Sequence, residues 1–292
     1  MPSRPIALLE SLLVTLIWAS SPVLTKLGLA YVGPLTVSGL RYFLGGLLLL
    51  PLVLRNRKTT ARLTGRLWLR LLAIAFFAYA VGNGAYYSGL LYLPATTVSL
   101  LGNLSPLLVL FLGILWLKEI PTRWQVVGVL ITMAGSAMFF SPGLQGGAPL
   151  GLLITGVGLI GLSLFAVLGR DVARDQQTDT LTLTAIPLVI GGAMVTLGGL
   201  LVEGWPQLTA DAWAVIVVLA VLNSALAYAL YNHALQVLTA LEMKVLINTS
   251  VLGTALLAWW FLGETLTGLQ VVGMVVVIVG VMLVQQLRWR AA

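Results

Sequence analysis

The chain has 292 residues, of which 59% are hydrophobic and only 9% charged, with a formal net charge of +7 and a mean hydropathy of +1.03. A chain this apolar cannot cover itself with a water-compatible surface, which excludes a soluble domain and predicts an integral membrane protein. The absence of cysteine removes disulfides, thiolate metal sites and a cysteine nucleophile.

A membrane span needs about 20 predominantly apolar residues. The pattern predicts ten all-α transmembrane helices over 6–27, 34–55, 68–92, 96–117, 124–141, 149–170, 179–202, 211–238, 241–262 and 268–287. The first is too long for a signal peptide and has no small-residue cleavage site after it, so it is expected to remain. Gly33-Pro34, Pro94, Pro121, the stretch from Pro142 to Pro149, and Trp205-Pro206 punctuate the spans. Connections this short make neighbouring helices antiparallel.

Placing the N-terminus inside puts Arg4, the cluster from Arg55 to Arg70, Lys118, Arg123, Arg170, Arg174, Arg288 and Arg290 on the cytoplasmic side. This asymmetry predicts a multi-pass inner-membrane protein with both termini cytoplasmic. It also accounts for the pI near 10.0 without a nucleic-acid partner. The basic 55–70 segment could alternatively meet anionic lipid.

Polar residues inside the spans are the candidate site. In the first helix, Ser11, Thr15 and Trp18 share a face, and mid-span Trp18 is a candidate for substrate contact. Arg41 lies two turns into the second helix, where a charge marks either function or a stem reaching the interface. Tyr79 and Asn83 in the third helix and Tyr228 in the eighth suit a pocket for a small amphipathic solute; Tyr86, Tyr87 and Tyr231 could instead form an interfacial belt. In the fourth helix Ser99 and Asn103 share a face, as Lys244 and Asn248 do in the ninth. Each asparagine either lines a site or joins neighbouring helices. Ser163 in the sixth helix completes the set. Glu10 and Glu242 read as interfacial, and His233, the only histidine, as either a proton relay or a structural residue.

The second half repeats the first. Shifted by 145 residues, Asn103 falls on Asn248, Ser105 on Ser250, Glu119 on Glu264, and Gln125-Val-Val-Gly128 on Gln270-Val-Val-Gly273. The same shift places Trp18 on Ser163 and Ser99 on Lys244. Residues 1–145 and 146–292 are thus expected as two five-helix repeats, and an odd number of spans turns the second upside down. Inverted-topology repeats are a recurrent construction of secondary transporters. Gly128 with Gly135, and Gly273 with Gly280, give the fifth and tenth helices a small-residue face for packing within the chain or for a dimer.

Two copies of an apolar helix, then Leu-Lys-Glu119 or Leu-Gly-Glu264, then Gln-Val-Val-Gly and a glycine-containing helix, resemble the EamA domains of the drug/metabolite transporter superfamily. The aromatic-rich helices are similar to aromatic amino-acid exporters of the YddG type in particular. The resemblance implies a central cavity, with the fifth and tenth helices outside it, and export of amino acids or related metabolites by alternating access. A multidrug or cationic-solute exporter of the same superfamily and a solute channel remain the alternatives. No HExxH, Walker, GxSxG or paired intramembrane aspartate motif is present, so an enzyme is not expected. Nor is a cofactor, a metal or a catalytic site. The expected partners are a small-molecule substrate and the bilayer, with the chain a monomer or homodimer.

Overall fold

The computed structural model describes residues 2–29, 32–55, 63–89, 92–93, 95–141, 148–176, 178–262 and 266–286. The predicted repeat boundary at 145/146 and the side chains of Ser99 and Glu264 lie outside the described residues. Among the described residues there is no strand, and the helices form ten spans.

They are α1 (Arg4–Leu29), α2 (Pro34–Arg55), α3 (Gly65–Ala75, Phe76–Asn83 and Gly84–Gly89) and α4 (Ala95–Gly102, Ser105–Leu112 and Gly113–Leu117). Next come α5 (Arg123–Phe140), α6 (Pro149–Arg174), α7 (Thr180–Val202) and α8 (Ala210–Val218, Leu219–Leu226 and Ala227–Ala234). The last two are α9 (Ala240–Asn248 and Ser250–Leu262) and α10 (Gly268–Gln286). Eight are long and apolar enough to cross a bilayer unbroken; α4 and α9 complete the ten as interrupted spans.

The irregularities recur with the repeat. The helix of α4 breaks after Gly102 and that of α9 after Asn248, within one residue of equivalent positions under the 145-residue shift. Phe76–Asn83 of α3 and Leu219–Leu226 of α8 are π-helical, a widened ladder found at functional sites. Thr122 caps α5 with Gln125 in a reciprocal box, and Thr267 and Gln270 bond in the same way at the start of α10. These caps satisfy N-terminal amides of otherwise apolar helices.

Helix pairing has the same symmetry. α2 packs on α7 and α5 on α10; α3 against α6 is matched by α8 against α1, and α4 against α6 by α9 against α1. This is a pair of inverted five-helix repeats. Glycine sets the closest approaches: a Cβ at Gly135 would lie 2.8 Å from the Gly273 carbonyl, and one at Gly128 2.7 Å from that of Gly280. The glycine faces of α5 and α10 are therefore consumed by packing on each other. Their remaining surfaces carry exposed Leu130, Val275 and Ile278, suited to lipid.

Candidate functional site

Inside the bundle is a cavity of about 460 Å³, large enough for a small organic solute. Among the described residues, none of α5 or α10 lines it. One side is aromatic. Trp18 of α1 meets Tyr228 of α8 edge-on at 5.1 Å and Tyr231 at 5.7 Å, while Phe165 of α6 stacks on Tyr231 at 5.4 Å. The Trp18 indole N–H donates to the Asn223 carbonyl at 3.0 Å, within the π-helical part of α8. That bond fixes the ring plane, so the aromatic wall is rigid before any solute arrives.

The other side is polar and basic. Arg41 of α2 is buried, donates to Ser21 Oγ at 2.9 Å and to Tyr42 Oη at 2.7 Å, and lies 4.6 Å over the Tyr42 ring. Its stem does not run to the interface. Lys244 of α9 also lines the cavity, and among the described residues it has no ion-pair partner. No carboxylate is among the described lining residues. The floor is the paired break of α4 and α9, where Asn248 Nδ2 donates to Asn103 Oδ1 at 2.7 Å and Ser136 Oγ donates to the same oxygen at 3.0 Å. Asn83 lines the cavity beside it, its amide donating to the Ala78 carbonyl opened by the π-helical turn of α3.

Of the sequence candidates, Trp18, Arg41, Asn83, Asn103, Tyr228, Lys244 and Asn248 come together around this one space. Tyr79 and Ser163 do not reach it. Tyr79 is packed behind the wall against Tyr42 at 4.7 Å and Tyr228 at 5.9 Å, in room left by Gly191. Ser163 is buried and faces Ser105 at 3.2 Å, so it joins α6 to α4. Ser99 has no described side chain. Tyr86 and Tyr231 line the cavity instead of an interfacial belt, and Glu242 is fully buried, bonded to Arg4 at 2.8 Å and capping α9 through the Thr239 amide. Missing from the sequence reading are Tyr42, Phe165 and Asn223. Asn223 falls on Ala78 under the repeat shift, so the duplication gives no hint of it.

At the end of the bundle that carries the N-terminus, ion pairs and hydrogen bonds tie the helices together. There Arg170 Nε meets Glu119 at 2.9 Å and its Nη1 donates to the Leu235 carbonyl at 2.6 Å, while Arg174 donates to the Leu117 carbonyl at 2.8 Å. Glu10 and His233 join α1 to α8 at 2.7 Å on the same side. Lining extends the other way as far as Pro34, the first residue of α2.

The comparisons agree with this architecture. An S-adenosylmethionine/S-adenosylhomocysteine transporter of Chlamydia trachomatis serovar L2 is 25% identical over 283 residues, covering 90% of this chain and 84% of the relative. An uncharacterized transporter of Archaeoglobus fulgidus is 26% identical over 278 residues, 93% of this chain and 94% of the relative. The transporter YvbV of Bacillus subtilis is 29% identical over 207 residues, 70% of this chain and 66% of the relative. A solved structure titled only as the crystal structure of a protein superposes with a TM-score of 0.84 at 21% identity, covering 99% of each chain, which shows the fold alone. The EamA-like transporter family model matches twice, over residues 5–141 and 149–285. With both halves matched and a cavity between them, the chain belongs to the EamA-like transporter family: it is a multi-pass membrane transporter of small molecules and not an enzyme.

Proposed function

We propose that the protein is a secondary carrier that exports amino acids or related carboxylate-bearing metabolites across the inner membrane by alternating access. The observation that carries this reading is the charge of the cavity: Arg41 and Lys244 face it, and no acid is among its described lining residues. Lys244 has no ion-pair partner among the described residues, and an unpaired cation inside a membrane span is costly. A substrate carboxylate relieves that cost at each binding event, whereas a cationic drug would add to it. Trp18, Phe165, Tyr228 and Tyr231 then cover the apolar part of the solute. The relative named for S-adenosylmethionine and S-adenosylhomocysteine supports the carboxylate half of the reading, since both molecules carry an amino-acid carboxylate, although S-adenosylmethionine also carries a sulfonium cation.

The basic loops favour a cytoplasmic N-terminus, and with that orientation the bonded helix ends around Glu119 and Arg170 form the inner side. Glu119 and Arg170 form the inner latch, and the inverted repeats offer a second, oppositely open state. Residues 1–145 form one repeat and 146–292 the other, and the chain acts as a monomer or a homodimer. The test is uptake into proteoliposomes of labelled amino acids and cationic drugs, with and without a pH gradient. Saturable, counterflow-competent flux of carboxylate solutes is expected. Ohmic conductance or preference for cations would overturn the reading.

A further inference from the structure

The carbonyl of Asn223 holds Trp18, but its side chain has no place in the carrier mechanism described so far. It is 2% exposed and borders the cavity, yet neither Oδ1 nor Nδ2 has a hydrogen-bond partner. The other cavity asparagines are bonded: Asn103 to Asn248 and Ser136, Asn83 to a backbone carbonyl. Buried amides are nearly always satisfied, so one left open at both ends beside a solute cavity marks a contact that a ligand completes. The residue is not loose. Its own carbonyl holds the Trp18 indole, and Ser224 next to it packs where Gly45 of α2 makes room.

The geometry of an amide narrows the ligand. Asn presents one acceptor and one donor side by side in a plane, which a lone ammonium or a lone carbonyl satisfies only by half. A planar edge with an adjacent N–H and lone-pair acceptor satisfies both, as in the pairing of Asn with a nucleobase edge. The neighbouring surface is the aromatic wall of Trp18 and Tyr228, which favours a flat ring over an aliphatic amide.

We infer that Asn223 is a specificity-determining residue that selects solutes in which a carboxylate is joined to a planar nitrogen heterocycle of the nucleobase type. The carboxylate half rests on the proposed function; the heterocycle half rests on Asn223 alone. Asn223 reads the donor–acceptor edge, the aromatic wall covers the ring faces, and Arg41 with Lys244 takes the anion.

The experiment measures binding to the purified full chain in nanodiscs by calorimetry, using orotate, benzoate, uracil and 1,3-dimethylorotate. Orotate carries both features, benzoate only the carboxylate, uracil only the edge, and the dimethylated compound lacks both ring N–H donors. Orotate is expected to bind at least tenfold more tightly than each of the other three. Asn223→Leu, checked for an unchanged melting profile, is expected to remove the preference of orotate over benzoate. Should that variant fail to fold, the comparison of orotate with its dimethyl derivative on the unmodified protein decides alone. Equal affinity for those two, or a preference that survives Asn223→Leu, overturns the inference while leaving carboxylate transport intact. Binding of uracil but of no carboxylate would instead overturn the proposed function and keep the role of Asn223.

Discussion

Asn248 donates to Asn103 at 2.7 Å, and the two residues are images of each other under the 145-residue repeat. The bond therefore lies at the junction of the two halves, where the helices of α4 and α9 both break. A helix interruption frees backbone groups that lipid cannot satisfy, so it persists only where protein or a cavity covers it. Here it does both, and the polar residues beside it face the cavity.

Asn103 accepts from two partners and Asn248 Nδ2 gives one bond, so Asn103→Ala is expected to cost more than Asn248→Ala, about 1–3 kcal/mol against about 1 kcal/mol. A double-mutant cycle on thermal unfolding in detergent is expected to give a coupling of about 0.5–1.5 kcal/mol. Strict additivity would show that the two residues do not share one bond.

The inner latch makes a separate prediction. Arg170→Gln strands the Glu119 carboxylate and removes the bond to the Leu235 carbonyl, so it is expected to favour the inward-open state. A cysteine at Thr239, 5% exposed here, should then react faster with an impermeant thiol reagent from the cytoplasmic side. The exchange Glu119→Arg with Arg170→Glu is expected to restore part of the protection. Unchanged reactivity in Arg170→Gln would leave the pair as packing without a gating role.

Gly135→Val drives a Cβ to within 2.6 Å of the Val277 amide in α10, whereas at Gly156 a Cβ meets nothing within 4 Å. Overpacking of this kind costs about 1–3 kcal/mol. Thermal melts should fall clearly for Gly135→Val and little for Gly156→Ala. Similar melts would mean that α5 and α10 do not pack as described.

The chain has no cysteine, so topology can be read by labelling. Cysteines at Gly204 and Gly268 are expected to react with an impermeant reagent from outside, and one at Thr64 only after permeabilisation. The reverse pattern would turn the molecule over.

The spans, their order and the duplication were legible because each is a long-range pattern: twenty apolar residues, an antiparallel turn, a constant offset. Boundaries fell within a few residues, since caps such as Thr122 with Gln125 are local chemistry. The cavity was legible in part. Helical spacing tells which residues share the inward face but not which of them meet open space, and that is where Tyr79 and Ser163 went astray: each is covered by a neighbour, Tyr42 in one case and Ser105 in the other. Asn223 was missed because it breaks the symmetry that exposed Asn103 and Asn248, and its significance is the lack of a partner, which only packing reveals.

The most direct test of a carboxylate-recognising carrier is Lys244→Met in proteoliposomes, comparing uptake of amino acids with that of their amides and of cationic solutes. Lys244 lines the cavity without an ion-pair partner among the described residues, so removing its charge should strip the attraction for a carboxylate and leave the rest of the space intact. The predicted result is a loss of amino-acid transport at least tenfold greater than any loss for the amides. An equal fall for both classes, or no change in either, would contradict it.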